Sequence, residues 1–154
     1  MGKYTEHAAA VYLKADVAVT QLEDAISLFI SGRYLSAITL AGAADAIFCG
    51  VIEANGGQVP ADRTWAEIEA VRQKGILLAD NITRKEAFKT WNFTRNRLKH
   101  HDVGRDCNSL EVFEIDEAYE WIERARNSGK ELGLEPKNCD EFESYVVPWF
   151  FLSG

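Results

Sequence analysis

Residues 25–48 read AISLFISGRYLSAITLAGAADAIF. The first part of this stretch closes a run in which Val11, Ala15, Ala18, Leu22, Ala25, Ile26 and Phe29 recur at three- and four-residue steps, the spacing of one helix face. Ser31-Gly32 interrupts the run, because glycine accepts the left-handed backbone at a helix end that other residues resist. The first helix is therefore expected over 5–29 and a second over 33–55, joined as a tight antiparallel hairpin. In the second helix Ala41, Gly42, Ala43 and Ala44 have almost no side chain, so another backbone can come close. Asp45 shares a side with Ile38, Ala41, Phe48 and Ile52, which points its carboxylate inward. A charge withdrawn from water needs a partner, either a hydrogen bond from a neighbouring helix or a basic residue such as Arg95.

The rest of the chain extends the helical pattern. Residues 55–60, NGGQVP, read as a loop, and Thr64 with Glu67 marks a capping box for a third helix over 64–79, which Gly75 could end early. Thr83 and Glu86 repeat that spacing and open a fourth helix. Asp116 is the expected cap of a fifth, with Ala118, Tyr119, Ile122 and Ala125 on its apolar face and its end at Gly129 or Gly133. The segment 140–154 starts with Asp140 and Glu143 at cap spacing and ends in Trp149, Phe150, Phe151 and Leu152, too apolar to hang in water. It either covers the core or docks on a second subunit.

No stretch alternates apolar and polar residues as a half-buried strand does, so the fold class is all-α: a compact antiparallel bundle of about five helices. With 154 residues and 47% of them hydrophobic, one domain over 1–154 has enough apolar surface for a sizeable core. Cys49, Cys107 and Cys139 are odd in number and form no C-x-x-C, which speaks against a disulfide framework or a thiolate zinc site. The N-terminus lacks the apolar core of a signal peptide, and no run reaches the ~18 apolar residues of a membrane span. The expected location is cytoplasmic, away from membranes.

The stretch 83–101, TRKEAFKTWNFTRNRLKHH, carries the chemistry. Residues 84–101 hold six basic side chains and one acid, a local charge of +5 in a chain of net −7. On one continuous helix Arg95, Lys99, Asn92, Asn96 and His100 fall within an arc of about 140° that contains no carboxylate, while Thr94, Ala87, Leu98 and Trp91 form an apolar stripe opposite. Such an arc suits an anion. The plainer use of these cations is ion pairing with the acidic segment Glu111, Glu114, Asp116, Glu117, Glu120 and Glu123, each exposed pair contributing about 0 to 1 kcal/mol. His100, His101 and Asp102, joined by His7 or Cys107, could suggest a metal, but neighbouring residues on a helix diverge, so no metal and no cofactor is expected. Core packing accounts for Trp91 and Trp121; Trp65, in a first helical turn, is expected to be exposed.

Arg95-Asn96-Arg97-Leu98-Lys99-His100 resembles the R-x4-H motif of the HEPN superfamily, whose arginine is typically followed by a polar residue such as Asn; His101 also falls within the family's spacing. The hairpin at 25–48 is similar to the first two HEPN helices, including an acidic residue where Asp45 stands, so the resemblance covers about residues 15–128. It implies a small helical bundle that dimerises, and a metal-independent endoribonuclease whose site is composite across the dimer. His100 would move protons at the ribose 2′-OH and the leaving oxygen, as a histidine can near neutral pH. Arg95 would stabilise charge growing on the phosphoryl oxygens and Asn96 would position the phosphate or the histidine. Asp45, Asn92, Lys99 and His101 would support them, and the product would be a 2′,3′-cyclic phosphate with a 5′-hydroxyl. The implied partners are RNA, a second copy of the chain and, as in toxin–antitoxin relatives, a nucleotidyltransferase-like antitoxin. Non-catalytic HEPN modules, which bind RNA, a nucleotide or a protein partner, are the alternative.

Overall fold

The hairpin forms where the spacing places it. In the computed structural model, which describes residues 9–75, 82–105 and 107–152, α1 (Lys14–Ile30) turns at Ser31-Gly32 into α2 (Tyr34–Ala54). Gly32 takes φ 74° and donates its N–H to the Phe29 carbonyl at 2.9 Å, closing the end of α1. α1 begins later than its apolar pattern suggests. Val11 lies ahead of the helix and is 95% exposed, so the core face starts at Ala18 and runs through Leu22, Ala25, Ile26 and Phe29. The expected start at residue 5 lies outside the described residues.

Five further helices follow: α3 (Pro60–Gln73), α4 (Arg84–Trp91), α5 (Phe93–Lys99), α6 (Glu114–Glu131) and α7 (Cys139–Leu152), with no strand among the described residues. The fold is all-α, with seven helices there rather than about five. Two things account for the difference: the 83–101 stretch breaks at Asn92, and the aromatic tail is itself helical. α3 starts at Pro60, whose fixed φ and missing N–H suit the first helical position. Thr64 is thus inside the helix, donating its hydroxyl to the Pro60 carbonyl at 3.2 Å, and caps nothing. Gly75, at φ 74°, does close the segment after α3. Residue 79, the expected end, lies outside the described residues.

α2 is the central helix. Ala37, Ile38, Ala41, Ala44 and Phe48 are buried against α1 on one side and α6 on the other. α6 runs in the same direction as α2: near their starts Tyr34 feels the charge of Glu114, and further along Asp45 meets Ser128 and Phe48 packs close to Gly129. Only part of the bundle is therefore antiparallel. α6 starts at Glu114, two residues before the expected cap; Asp116 sits in its first turn, where a carboxylate favours the helix dipole without capping it. Gly133 at φ 70° follows its end. By length and a mean hydropathy of 1.9 over 18 residues α2 could cross a membrane, but its buried residues are those of the bundle core.

α7 covers the core with one face. Phe142 and Val146 are buried, and Phe29 of α1 meets the rings of Phe142, Tyr145 and Trp149 at 5.4 to 5.9 Å. Its other face stays in solvent, with Phe150 65% and Phe151 81% exposed. Of the two expectations for the tail, covering the core is met by one face of the helix, and its other face presents apolar side chains to solvent.

Ion pairs tie the outer helices down. Arg126, buried on α6, bonds Glu123 at 2.6 Å and Glu143 of α7; burial opposes its charge, but the two carboxylates outweigh that and raise its pKa. Arg126 in turn holds Glu143 below the ordinary carboxylate range, Arg63 does the same for Glu131, and the Thr83 backbone N–H for Glu86. A carboxylate with a depressed folded-state pKa contributes stability that is complete above its unfolded value, near 4.5, and is lost as pH falls through the lower folded value. Urea midpoints should therefore drop between about pH 5 and about pH 3, and Glu143→Gln should shrink that drop. A midpoint insensitive to acid in this window would contradict the pairing.

Candidate functional site

The polar stretch 83–101 folds as two short helices, and the break between them shapes everything around it. α4 opens with the capping box the sequence announces: Thr83 Oγ1 accepts from the Glu86 N–H at 3.3 Å and the Glu86 carboxylate accepts from the Thr83 N–H at 2.8 Å. At its other end Asn92 Nδ2 donates to the Phe88 carbonyl at 2.7 Å, while Arg124 of α6 donates to the Trp91 carbonyl at 3.0 Å. An unbroken helix would offer that Trp91 carbonyl to the Arg95 N–H. A guanidinium from another helix takes it, Asn92 competes with the backbone, and the helix restarts as α5.

The single-helix arc is corrected accordingly. α5 ends at Lys99, and His100 has extended backbone, φ −132° and ψ 150°, beyond the helix end. The apolar stripe survives the break: Thr94 and Ala87 are buried, and Leu98 packs on the core.

Arg95 folds inward. Its Nη1 donates to the Gly42 carbonyl of α2 at 3.1 Å and its guanidinium lies over the buried Trp121 ring at 5.3 Å. Nη2 reaches Asn96 Oδ1 at 3.3 Å on the solvent side. Burial lowers the Arg95 pKa, with the Asp45 charge acting the other way, and a guanidinium so placed stays charged. Its Nε is buried without a hydrogen bond.

Asp45 is buried as its position on α2 predicts. Its partners are Ser128 Oγ at 2.7 Å and Arg124 Nη2 at 3.5 Å, not Arg95. The reason is tertiary: α6 lies along α2 and sets Arg124 and Ser128, one turn apart, over the carboxylate. Arg95 senses Asp45 only through its field, since its own fork is engaged with Gly42 and Asn96.

His100 is exposed and lines two adjoining hollows. One, about 410 Å³, also holds Lys89, Asn96, Arg97 and the carboxylate-bearing Asp102; the other, about 480 Å³, holds Arg97, Lys99, His101 and Cys107. Asn96 and His100 therefore share a hollow, as do Lys99, His100 and His101. Arg95, Asn92 and Asp45 line neither. Lys89 and Arg97 are the residues sequence reasoning left out of the site, and their charge was the signal for them. Arg97 lies in both hollows, steadied by its bond to the Ser109 carbonyl at 3.3 Å and by the Phe93 ring.

The chain matches no protein-family model, no curated protein and no solved structure. Among the described residues no three His, Cys, Asp or Glu side chains converge as metal ligands must. Trp91 is half-buried, Trp121 fully so, and Trp65, expected to be exposed, is partly covered with Arg72 over its ring at 5.1 Å.

Gly42 is what lets Arg95 cross α2. A Cβ there would fall on the Arg95 stem, 2.7 Å from Cγ and closer still to Cδ, and both atoms are held by the anchored guanidinium. Gly50, in the same helix, has nothing within 4 Å of the same added atom. Ala is favoured over Gly in a helix interior by about 1 kcal/mol, whereas overpacking costs about 1 to 3 kcal/mol. Gly50→Ala should thus stabilise the protein, by up to about 1 kcal/mol, and Gly42→Ala should destabilise it by about 1 kcal/mol while displacing Arg95. Paired urea titrations read the opposite signs; a stabilised Gly42→Ala protein would show that Arg95 moves aside at no cost.

Proposed function

We propose that this protein is a metal-independent endoribonuclease that binds the RNA backbone at the end of α5 and uses His100 as its proton-transfer group. The observation that carries this reading is the setting of His100: just past a helix end, open to solvent, in two adjoining hollows where Lys89, Arg97 and Lys99 outnumber the one carboxylate, Asp102. Cations next to an exposed imidazole are what attack by a ribose 2′-OH on the neighbouring phosphate requires. The imidazole takes the hydroxyl proton or protonates the leaving oxygen, and the cations hold the charge that builds on phosphorus-bound oxygen. Arg97 and Lys89 supply charge within the His100 hollow; Arg95 anchors α5 on α2 and Trp121 and presents one edge, Nη2, beside Asn96. The HEPN-like resemblance supports the same assignment, with a second copy of the chain completing the site.

One observation favours the alternative, a non-catalytic HEPN-like module that binds RNA, a nucleotide or a protein partner such as a nucleotidyltransferase-like antitoxin. Arg95, the arginine of the motif, is half-buried, bonded to Gly42, and lines neither hollow that holds His100. A single experiment separates the two readings. Pure protein is incubated with a structured RNA in EDTA beside a His100→Ala control, and the new ends are identified by mass spectrometry. Cyclic phosphate ends made only by the wild type establish the nuclease; an uncut RNA that binds to folded protein establishes the module.

A further inference from the structure

A third cavity, of about 300 Å³, lies between α2, α3, α4 and α6 and shares no lining residue with the two hollows around His100. Trp91, Pro60 and Ala61 give it apolar surface, while Asp45, Glu120 and Arg124 bring charge to it. The charges are not arranged for an anion. Arg124 is committed to the protein: Nη1 to the Trp91 carbonyl at 3.0 Å, Nη2 to Asn92 Oδ1 and Asp45 Oδ2, both at 3.5 Å, and its plane over Trp121 at 4.0 Å. The acceptors are less fully used. Asp45 Oδ1 takes hydrogen bonds from Ser128 and the Cys49 thiol, whereas Oδ2 has only the long Arg124 contact. Burial, then the Asp45 charge, pushes the Cys49 thiol up to about 11, so it stays a donor. Among the described residues Glu120 has no ion-pair partner, and the Asn127 amide beside it makes no hydrogen bond.

A cavity with spare carboxylate acceptors, an indole and apolar walls suits a flat ligand offering adjacent N–H donors, and repels phosphate. Of the RNA bases only guanine carries a ring N–H next to an amino group on one edge; adenine and cytosine pair an amino group with a bare ring nitrogen, and uracil sets its N–H between two carbonyls. We propose that this cavity is a guanine-base site, in which the ring N–H donates to Asp45 Oδ2, the amino group donates to the Glu120 carboxylate, the ring lies against Trp91, and the Asn127 amide serves the base carbonyl. Ribose and phosphate stay outside, away from Glu120. The proposal stands apart from the nuclease reading, and its base could belong to RNA or to a free nucleotide.

Calorimetric titration of the whole chain with guanosine, adenosine, cytidine and agmatine tests it. Guanosine should bind about tenfold or more tightly than the other two nucleosides, and Asp45→Asn should weaken it by at least about tenfold. Because Asp45 is buried and its variant could lose the fold, Thr64→Trp, an exposed position on the cavity wall, is the second arm and should block guanosine in a folded protein. Guanosine binding no better than adenosine, agmatine binding more tightly than guanosine, or a folded Thr64→Trp protein that binds guanosine as the wild type does would each overturn the site. An oligouridylate with one guanine binding about tenfold above guanosine monophosphate assigns the base to RNA, and equal affinities assign it to a free nucleotide. Oligouridylate without guanine probes His100 cleavage independently, so failure of one idea is not failure of the other.

Discussion

Trp121→Ala should cost this protein about 3 to 5 kcal/mol, about a fifth or more of the stability of an ordinary domain. The ring is 2% exposed and belongs to the core that joins α6 to α1 and α2. Its loss removes buried apolar surface and leaves a cavity that close-packed neighbours fill only partly. It also takes the ring from under two guanidiniums, Arg124 at 4.0 Å and Arg95 at 5.3 Å, each stack contributing about 0.5 to 2 kcal/mol. Arg124 holds the α4–α5 break and Arg95 holds α5 to α2, so the harm should spread to the site. Trp121→Phe keeps much of the ring and should retain most of the stability. Trp65→Ala, on a helix with no buried residue, should cost about 1 kcal/mol or less. Urea unfolding of the three variants ranks them directly; a Trp121→Ala loss below about 1.5 kcal/mol would show that the ring does not carry the junction.

If the protein is the nuclease proposed above, His100→Ala should lower the cleavage rate by about 10² to 10⁴ while changing stability by no more than about 0.5 kcal/mol. The asymmetry follows from where the side chain lies. His100 is exposed beyond α5 and lines hollows rather than core, so its removal takes away the proposed proton carrier and little packing. Arg95→Ala should behave differently, lowering activity and stability together, because Arg95 bonds the Gly42 carbonyl and covers Trp121. On the same reading Arg97→Ala, which removes the cation that shares both hollows with His100, should weaken RNA binding by a larger factor at low salt than at about 0.2 M salt, as loss of a phosphate contact does. Cleavage by His100→Ala at the wild-type rate would end the nuclease reading.

The helical hairpin was legible in the sequence because helix period and a glycine stop are local properties. Leu22, Ile26 and Phe29 mark a buried face at their own spacing, and Gly32 marks the turn. Thr83 and Glu86 announced their capping box for the same reason, since both partners lie within four residues. The charge around residues 84–101 was legible as well. The break at Asn92 was not, because Arg124, more than thirty residues away, takes the Trp91 carbonyl there, and the end of α5 at Lys99 removed His100 from the face that a helical wheel gave it. Thr64 and Asp116 misled in another way: each has the composition of a cap, but Pro60 and Glu114 begin their helices earlier.

The sequence by itself determined the all-helical class, the hairpin, the inward carboxylate of Asp45 and the basic character of the stretch that carries His100. Tertiary structure alone decided which cation meets which acid. Arg124 rather than Arg95 reaches Asp45, because α6 lies beside α2 in the same direction and brings Arg124 and Ser128 over it. Gly42 opens the path by which Arg95 turns to a backbone carbonyl instead. Ion pairs and hydrogen bonds between helices depend on distances of a few ångströms, and the packing of helices far apart in the chain sets those distances.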